Sequence, residues 1–168
     1  MRRIVVIGTD HRYQFGGATR TEQQNLAFAA LLQRLCEAHG LRCLAEEMSL
    51  DALRAQDRTE STVATFARHR GIHHIYCDPS ESVQFDMGLG TERNANLLRV
   101  LQGWSEEKLA GAIACEHRLR EQYWRDRILE THTWPCLLVC GGEHAMPVSS
   151  LLAESGLQVA LVAERWDA

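Results

Sequence analysis

The sequence predicts an α/β fold, a compact single domain with a mostly parallel sheet of about five strands and helices on both faces. Short apolar runs alternate with longer segments of helical periodicity along all 168 residues. This alternation is typical of parallel sheets that are covered on both sides. A chain of this length can bury a core of its own. We therefore expect one domain over residues 1–168.

Two strands have the clearest signal. Ile4 to Ile7 and Cys136 to Cys140 are continuous apolar runs, which indicates strands buried on both faces. The predicted strands are residues 3–8, 41–45, 73–77, 136–140 and 157–163.

Helical segments separate these strands. Capping residues and apolar stripes predict helices over residues 21–39, 49–55, 59–70, 91–103, 105–130 and 147–156. Two segments lack periodicity and are predicted as loops, residues 10–17 and residues 80–90. We expect the second loop to cover the site.

Composition argues against several classes of partner. The net charge is −4 and the pI is about 6.1, and the arginines are interleaved with acids, which favours a solvated surface over a nucleic-acid interface. The sequence has no apolar run near the ~20 residues that a membrane span requires. We expect a cytoplasmic protein without a nucleic-acid or membrane partner, and self-association is left open.

Four of the six cysteines, Cys43, Cys77, Cys136 and Cys140, lie in predicted strands. Free cysteine in such places behaves as a small buried hydrophobe, which fits a reducing compartment. The spacing Cys136-x3-Cys140-x3-His144 resembles a zinc motif. Thiols four residues apart in a strand are about 13 Å apart, too far to share one metal.

Two turns repeat one pattern. Gly8-Thr9-Asp10-His11 follows the first strand, and Gly141-Gly142-Glu143-His144 follows a late one. Each has the form Gly-x-x-His with an acidic residue directly before the histidine. Because ligands of open α/β sheets bind at the carboxyl ends of the strands, we expect His11 and His144 to meet at one crevice.

Carboxylates follow the other strands. Glu46 and Glu47 follow the second strand, and Asp78 follows the third. We expect Glu46 in the crevice because it directly ends the apolar run, whereas Glu47 points to the opposite side or begins the loop. Asp78 precedes Pro79 and is typical of a turn, so a structural role is favoured.

Histidines and carboxylates around one crevice suit two kinds of chemistry. They can form a general base that activates water, with a second histidine or an arginine stabilising an oxyanion. They can instead hold a divalent metal such as Mn, Co or Zn. The long helix adds Arg120-Glu121-x-x-Trp124-Arg125, from which one arginine can reach the crevice, although Glu121 and Arg125 also fit a surface pair.

These motifs, in this order, resemble the TraB/Tiki superfamily, which includes the erythromycin esterases and the haem-binding ChaN lipoproteins. Members share a compact α/β fold with Gly-x-x-His and Glu motifs around one site. Tiki proteins are metal-dependent proteases, and erythromycin esterases hydrolyse a lactone with His and Glu and without a metal. The resemblance implies that His11, Glu46 and His144 are the active residues, with Arg125 or Arg120 as the helix arginine.

The sequence therefore predicts a small hydrolase of small-molecule or peptide substrates, in which His11 and Glu46 activate water, alone or through a metal, and His144 completes the site. Further residues are expected around it: Asp10, Glu47, Asp78, Arg120, Glu121 and Glu143. The alternative is a domain without catalysis that binds a metal, haem or another protein through the same histidines. A substrate is not carried over from the resemblance, because the chain is short for a macrolide pocket and lacks a recognisable secretion signal.

Overall fold

The computed structural model describes residues 2–16 and 20–168, so Gly17, at the end of the first predicted loop, lies outside the described residues. It confirms the predicted fold class. The strands are β1 (Arg3–Thr9), β2 (Cys43–Glu46), β3 (His73–Tyr76), β4 (Cys136–Gly141) and β5 (Gln158–Trp166). They form one all-parallel sheet in the order β3-β2-β4-β1-β5.

The helices lie between the strands, as the alternation predicts. They are α1 (His11–Phe15), α2 (Glu22–His39), α3 (Leu50–Arg54), α4 (Thr62–Arg70), α5 (Glu81–Asp86), α6 (Thr91–Gln102), α7 (Glu106–Glu130) and α8 (Ala145–Glu154). Most begin at a Ser or Thr whose side chain accepts a hydrogen bond from a backbone N–H of the first turn.

The two segments predicted as loops each contain a short helix. Asp10 caps α1, since its carboxylate accepts a hydrogen bond from the Arg12 N–H at 2.8 Å. Ser80 caps α5 in the same way. Helices of five and six residues are too short to show an apolar periodicity, which is why the sequence pattern predicts loops there.

Successive strand residues face opposite sides of the sheet and build two cores. One core packs the sheet against α7 and α8 and includes Ile4, Val6, Cys43, Ala45, Trp124 and Leu152. The other packs it against α1, α2 and α4 and includes Val5, Ile7, Leu44, Tyr13, Phe28 and Val63. The side of the sheet on which a strand residue lies therefore decides which helices it meets.

The six cysteines are free thiols, and Cys43, Cys77, Cys136 and Cys140 are buried. Within the described ranges, no helix combines the length and the apolar character needed to cross a membrane.

Candidate functional site

The histidines of both Gly-x-x-His turns lie beside Glu47. The Nε2 atom of His11 is 3.7 Å from Glu47 Oε1, and the Nε2 atom of His144 is 3.6 Å from the same oxygen. β2, β4 and β1 are adjacent in the sheet, so the residues that follow them are brought to one place. The structure thus assembles the two histidines around one buried carboxylate.

Glu46 does not belong to this group, and the expectation that it meets the histidines is wrong. Its carboxylate accepts hydrogen bonds from the Ser61 hydroxyl and from His74 Nε2, the latter at 2.7 Å. Ser61 caps α4, which covers one face of the sheet, whereas Glu47 lies towards α7 on the other face. Strand alternation separates the two carboxylates, and the site is on the α7 side.

Glu47 is held by two donors. Arg120 Nη2 donates to Glu47 Oε1 at 2.8 Å, and the Gly141 N–H donates to Oε2 at 2.7 Å. The side chain of Glu47 is 2% exposed. A carboxylate so deeply buried needs such partners to stay ionised.

Asp78 lies next to Arg120 and shares it with Glu47. Arg120 donates to Asp78 Oδ1 through Nε at 3.0 Å and through Nη2 at 2.8 Å, and Trp124 Nε1 donates to the same oxygen at 2.9 Å. Burial raises the pKa of Asp78, and Arg120 opposes that shift. Burial alone lowers the pKa of Arg120, but Asp78 and Glu47 outweigh it and keep the guanidinium charged.

A buried glutamine fixes the orientation of His11. Gln14 is 0% exposed, and its Nε2 donates to the Val139 carbonyl at 3.2 Å. Its Oε1 is therefore the atom that faces His11 Nδ1, at 2.9 Å, and accepts a hydrogen bond from the Nδ1–H. In the neutral imidazole this tautomer leaves the lone pair on Nε2, on a side chain that is 47% exposed.

His144 is held more tightly. Its Nδ1 donates to Glu121 Oε1 at 2.8 Å, and its ring makes edge contacts with Trp124 at 4.9 Å and with His117 at 4.5 Å between centroids. Burial alone lowers the pKa of His144, but the hydrogen bond to Glu121 and the charge of Glu47 outweigh it and raise the pKa above the ordinary value of 6.5.

One stripe of α7 faces this site: His117, Arg120, Glu121 and Trp124, spaced i, i+3, i+4 and i+7. Arg125 is outside the stripe, and its Nε donates to Asp126 at 2.8 Å. The structure therefore does not bring Arg125 to Glu47, and Arg120 is the arginine of α7 that contacts this carboxylate. His117, Trp124 and Gln14 also contribute and were not predicted as site residues; the helical spacing from Arg120 points to the first two.

Asp10 and Glu143, the acidic residues of the two turns, are engaged elsewhere. Asp10 accepts hydrogen bonds from the Arg12 guanidinium, which lower its pKa to about 2. Glu143 forms an exposed ion pair with Arg165. Both are neighbours of the histidines in the chain, and their contacts place them on the β5 side of the site.

Gly141 is required by the close approach of its neighbours. A Cβ atom at this position would lie 2.9 Å from His11 Nε2 and 3.3 Å from Glu47 Oε2. The second Gly-x-x-His turn therefore contributes a backbone that passes directly beside the first histidine.

Part of the donor set resembles a metal centre. Both histidines present Nε2 while Nδ1 is hydrogen-bonded, as in metal sites. However, Arg120 occupies the Glu47 oxygen that faces both rings, and a guanidinium there repels a cation. Among residues 2–16 and 20–168, no group of three or more His, Cys, Asp or Glu side chains is arranged to hold a metal ion. The residues present do not fit a metal centre.

The fold and the site define an α/β domain with a His–Glu–His group and a half-buried arginine at the carboxyl edge of a parallel sheet. Comparisons with protein-family models, with curated proteins and with solved structures find no match to the chain. Its function is therefore argued from the chemistry of this site.

Proposed function

We propose that this protein is a small hydrolase that activates water with His11 and Glu47 and needs no metal. The observation that supports this most directly is the convergence of both histidine Nε2 atoms on Glu47 Oε1, at 3.7 and 3.6 Å. Two imidazoles facing one carboxylate form a group that can accept, hold and return a proton.

His11 is the residue best suited to act as the base. In its neutral form the Nδ1–H donates to Gln14, which leaves the Nε2 lone pair available, and its side chain is half exposed, so a water molecule can reach it. Glu47 lies close enough to stabilise the imidazolium that forms when His11 takes the proton of water. This is the role that a carboxylate has beside a catalytic histidine.

Arg120 and His144 supply positive charge. Arg120 remains charged between Glu47 and Asp78, and the raised pKa of His144 favours its protonated form. Negative charge that develops on a carbonyl oxygen during attack by hydroxide would be stabilised by these groups at low cost, because they are already ordered.

We further propose that the domain is of the TraB/Tiki or erythromycin-esterase type. The order of motifs along the chain supports this. In this proposal Glu47, and not Glu46, is the glutamate of the family's motif, and Arg120 is the arginine on the helix. The esterase branch is favoured within this proposal, since its chemistry uses His and Glu without a metal. The substrates would then be esters, lactones or amides.

The competing function is a non-catalytic domain that binds a divalent metal or haem through His11 and His144. The hydrogen-bonded Nδ1 atoms of both histidines favour it, and Arg120 on Glu47 disfavours it. A haem titration distinguishes a haem-binding domain from a hydrolase. Axial histidine ligation gives a Soret band that His11→Ala and His144→Ala would remove.

The first prediction is that His11→Ala and His144→Ala each lower hydrolysis of a panel of small esters and amides by about 10²- to 10⁴-fold. His69→Ala, an exposed histidine on α4, is the matched control and should keep full activity. Circular dichroism checks that the variants remain folded. EDTA should leave the activity unchanged.

Full turnover by both site variants, on a substrate that the wild type hydrolyses, would contradict the assignment. Loss of activity in EDTA that Mn, Co or Zn restores would replace the metal-free mechanism with the metal-dependent one.

A further inference from the structure

A separate cavity lies on the β5 side of His11. Its volume is about 320 Å³, and it is formed by the two Gly-x-x-His turns together with the end of β5. The first turn contributes Asp10, which directly precedes His11, and the second contributes Gly142 and Glu143. His11 itself does not line the cavity, but its two neighbours in the chain, Asp10 and Arg12, do.

Three arginines line this cavity, Arg12, Arg20 and Arg165. Arg20 differs from the other two because its side chain is only 9% exposed, against 59% for Arg12 and 72% for Arg165. It lies over the Tyr13 ring at 4.2 Å, so one face of the guanidinium is covered by an aromatic side chain.

The charge of Arg20 is only partly compensated. Its Nη2 is 3.0 Å from Asp10 Oδ2, but the same carboxylate also binds the Arg12 guanidinium. Its other acidic neighbour is Asp167, whose Oδ1 is 3.7 Å from Arg20 Nη1 and whose side chain is 69% exposed. Solvent screens an exposed carboxylate, so it offsets a buried cation weakly.

Arg20 also has an unused donor. Its Nε is buried and has no hydrogen-bond partner in the part of the chain that the structure describes. Buried N–H groups are nearly always paired, and an orphaned one on a charged group is costly. A guanidinium with a free Nε is suited to bind two oxygens of a carboxylate or phosphate.

We propose that this cavity is an oxyanion-binding subsite, which takes a carboxylate or phosphate group of the substrate through Arg20. The link to the substrate rests on the proposed function. The substrate would then be a small anionic ester, lactone or amide, bound with its anionic group at Arg20 and its carbonyl near His11. The volume is at the low end for small-molecule pockets, which disfavours a macrolide or a long peptide.

The test follows the ¹H–¹⁵N signal of the Arg20 Nε–H while inorganic phosphate or acetate is added to the full chain at low ionic strength. We expect a saturable shift with at least one anion, and the comparison of the two shows whether the subsite prefers tetrahedral or planar oxyanions. The Arg20→Lys variant removes the fork of donors and should weaken binding about tenfold. Arg99→Lys, at an exposed arginine on α6 paired with Glu106, is the control and should bind like wild type.

A second variant keeps the test decisive if Arg20→Lys folds poorly. Asp10→Asn retains a residue that caps helices well but removes the carboxylate that competes for Arg20, so it should bind the anion more tightly. Absence of a saturable shift, or weaker binding by Asp10→Asn, would overturn the proposal.

Failure of the subsite is distinguishable from failure of the hydrolase. His11→Ala should lose hydrolysis and keep anion binding. If wild type hydrolyses neutral and anionic esters equally well and binds neither anion, the hydrolase stands and the subsite is rejected.

Discussion

Glu46 and Glu47 differ by one position and have different surroundings. Glu46 is fully buried, and burial raises its pKa although His74 and Ser61 oppose that shift. One of its oxygens, Oε2, has no partner among the described residues. Glu47 accepts from Arg120 and Gly141 and lies between the two histidines. At the scale of the residue, the site chemistry depends on which of two adjacent carboxylates faces α7.

This difference gives a prediction. Glu47→Gln should lower hydrolysis by about 10²-fold or more, because it removes the charge that stabilises the His11 imidazolium. Glu46→Gln should leave the rate nearly unchanged, since its carboxylate lies on the α4 side. Steady-state kinetics of the two variants shows which of the two carboxylates acts beside His11. A large loss of rate in Glu46→Gln with none in Glu47→Gln would favour Glu46, as expected from the sequence.

At the scale of elements, the site is built by turns and by one helix. α7 contributes a stripe in which Arg120 binds Glu47 and Glu121 binds His144. The turn after β4 contributes backbone, because Gly141 donates to Glu47 and passes beside His11. A helix can present several side chains at fixed spacing, whereas a glycine turn admits the histidine of the neighbouring strand.

The corresponding prediction concerns Gly141→Ala. The added methyl group would meet His11 Nε2 at 2.9 Å and displace the ring, so the catalytic rate should fall about tenfold to a hundredfold with a smaller effect on folding. Gly111→Ala, in α7, is the control because no atom lies within 4 Å of the added Cβ. It should keep the rate and stabilise the helix by about 0.5–1 kcal/mol. Unchanged kinetics in Gly141→Ala would argue against His11 as the base.

At the scale of the whole molecule, the site joins three strands, α7 and α8 through buried ionisable groups. Such groups link stability to pH whenever their pKa values differ between the folded and unfolded states. The folded pKa of His144 is raised by Glu121 and Glu47 against the effect of burial. Its contribution to stability is therefore complete below the unfolded pKa of about 6.5 and is lost as pH rises through the higher folded value.

Glu121→Gln should lower the pKa of His144, since it removes the negative charge of the carboxylate that accepts a hydrogen bond from the Nδ1–H. We expect the free energy of unfolding of the wild type to fall more steeply than that of the variant as pH rises above about 6.5. Urea unfolding across this range, with the His144 ring titrated by NMR, measures both effects. Equal slopes and an unchanged His144 pKa would show that Glu121 does not stabilise the imidazolium.

Local patterns in the sequence predicted much of this arrangement. The apolar runs at Ile4–Ile7 and Cys136–Cys140 predicted strands buried on both faces, and both runs are buried, in β1 and β4. The two Gly-x-x-His turns predicted that His11 and His144 lie close together, and both lie beside Glu47. These predictions succeed because burial and the parallel order of strands follow from hydrophobicity and chain connectivity.

The sequence predictions that differ from the structure concern the choice between residues that lie close together in the chain. Glu46 was preferred to Glu47, and Arg125 was included with Arg120, because a sequence does not specify which face of a sheet or helix is turned to the site. The buried Gln14 and the cavity at Arg20 were not predicted, since each depends on contacts between residues distant in the chain, such as that of Gln14 with Val139.

The sequence by itself determined the α/β class, the strands and the positions of both histidines, because short-range periodicity and turn residues encode them. The tertiary structure alone decided that Glu47 and Arg120 lie with the two histidines and that Arg20 is largely enclosed beside Asp10. Those features depend on the packing of α7 on one face of the sheet and on the meeting of β1, β4 and β5, which are long-range contacts that no local pattern specifies.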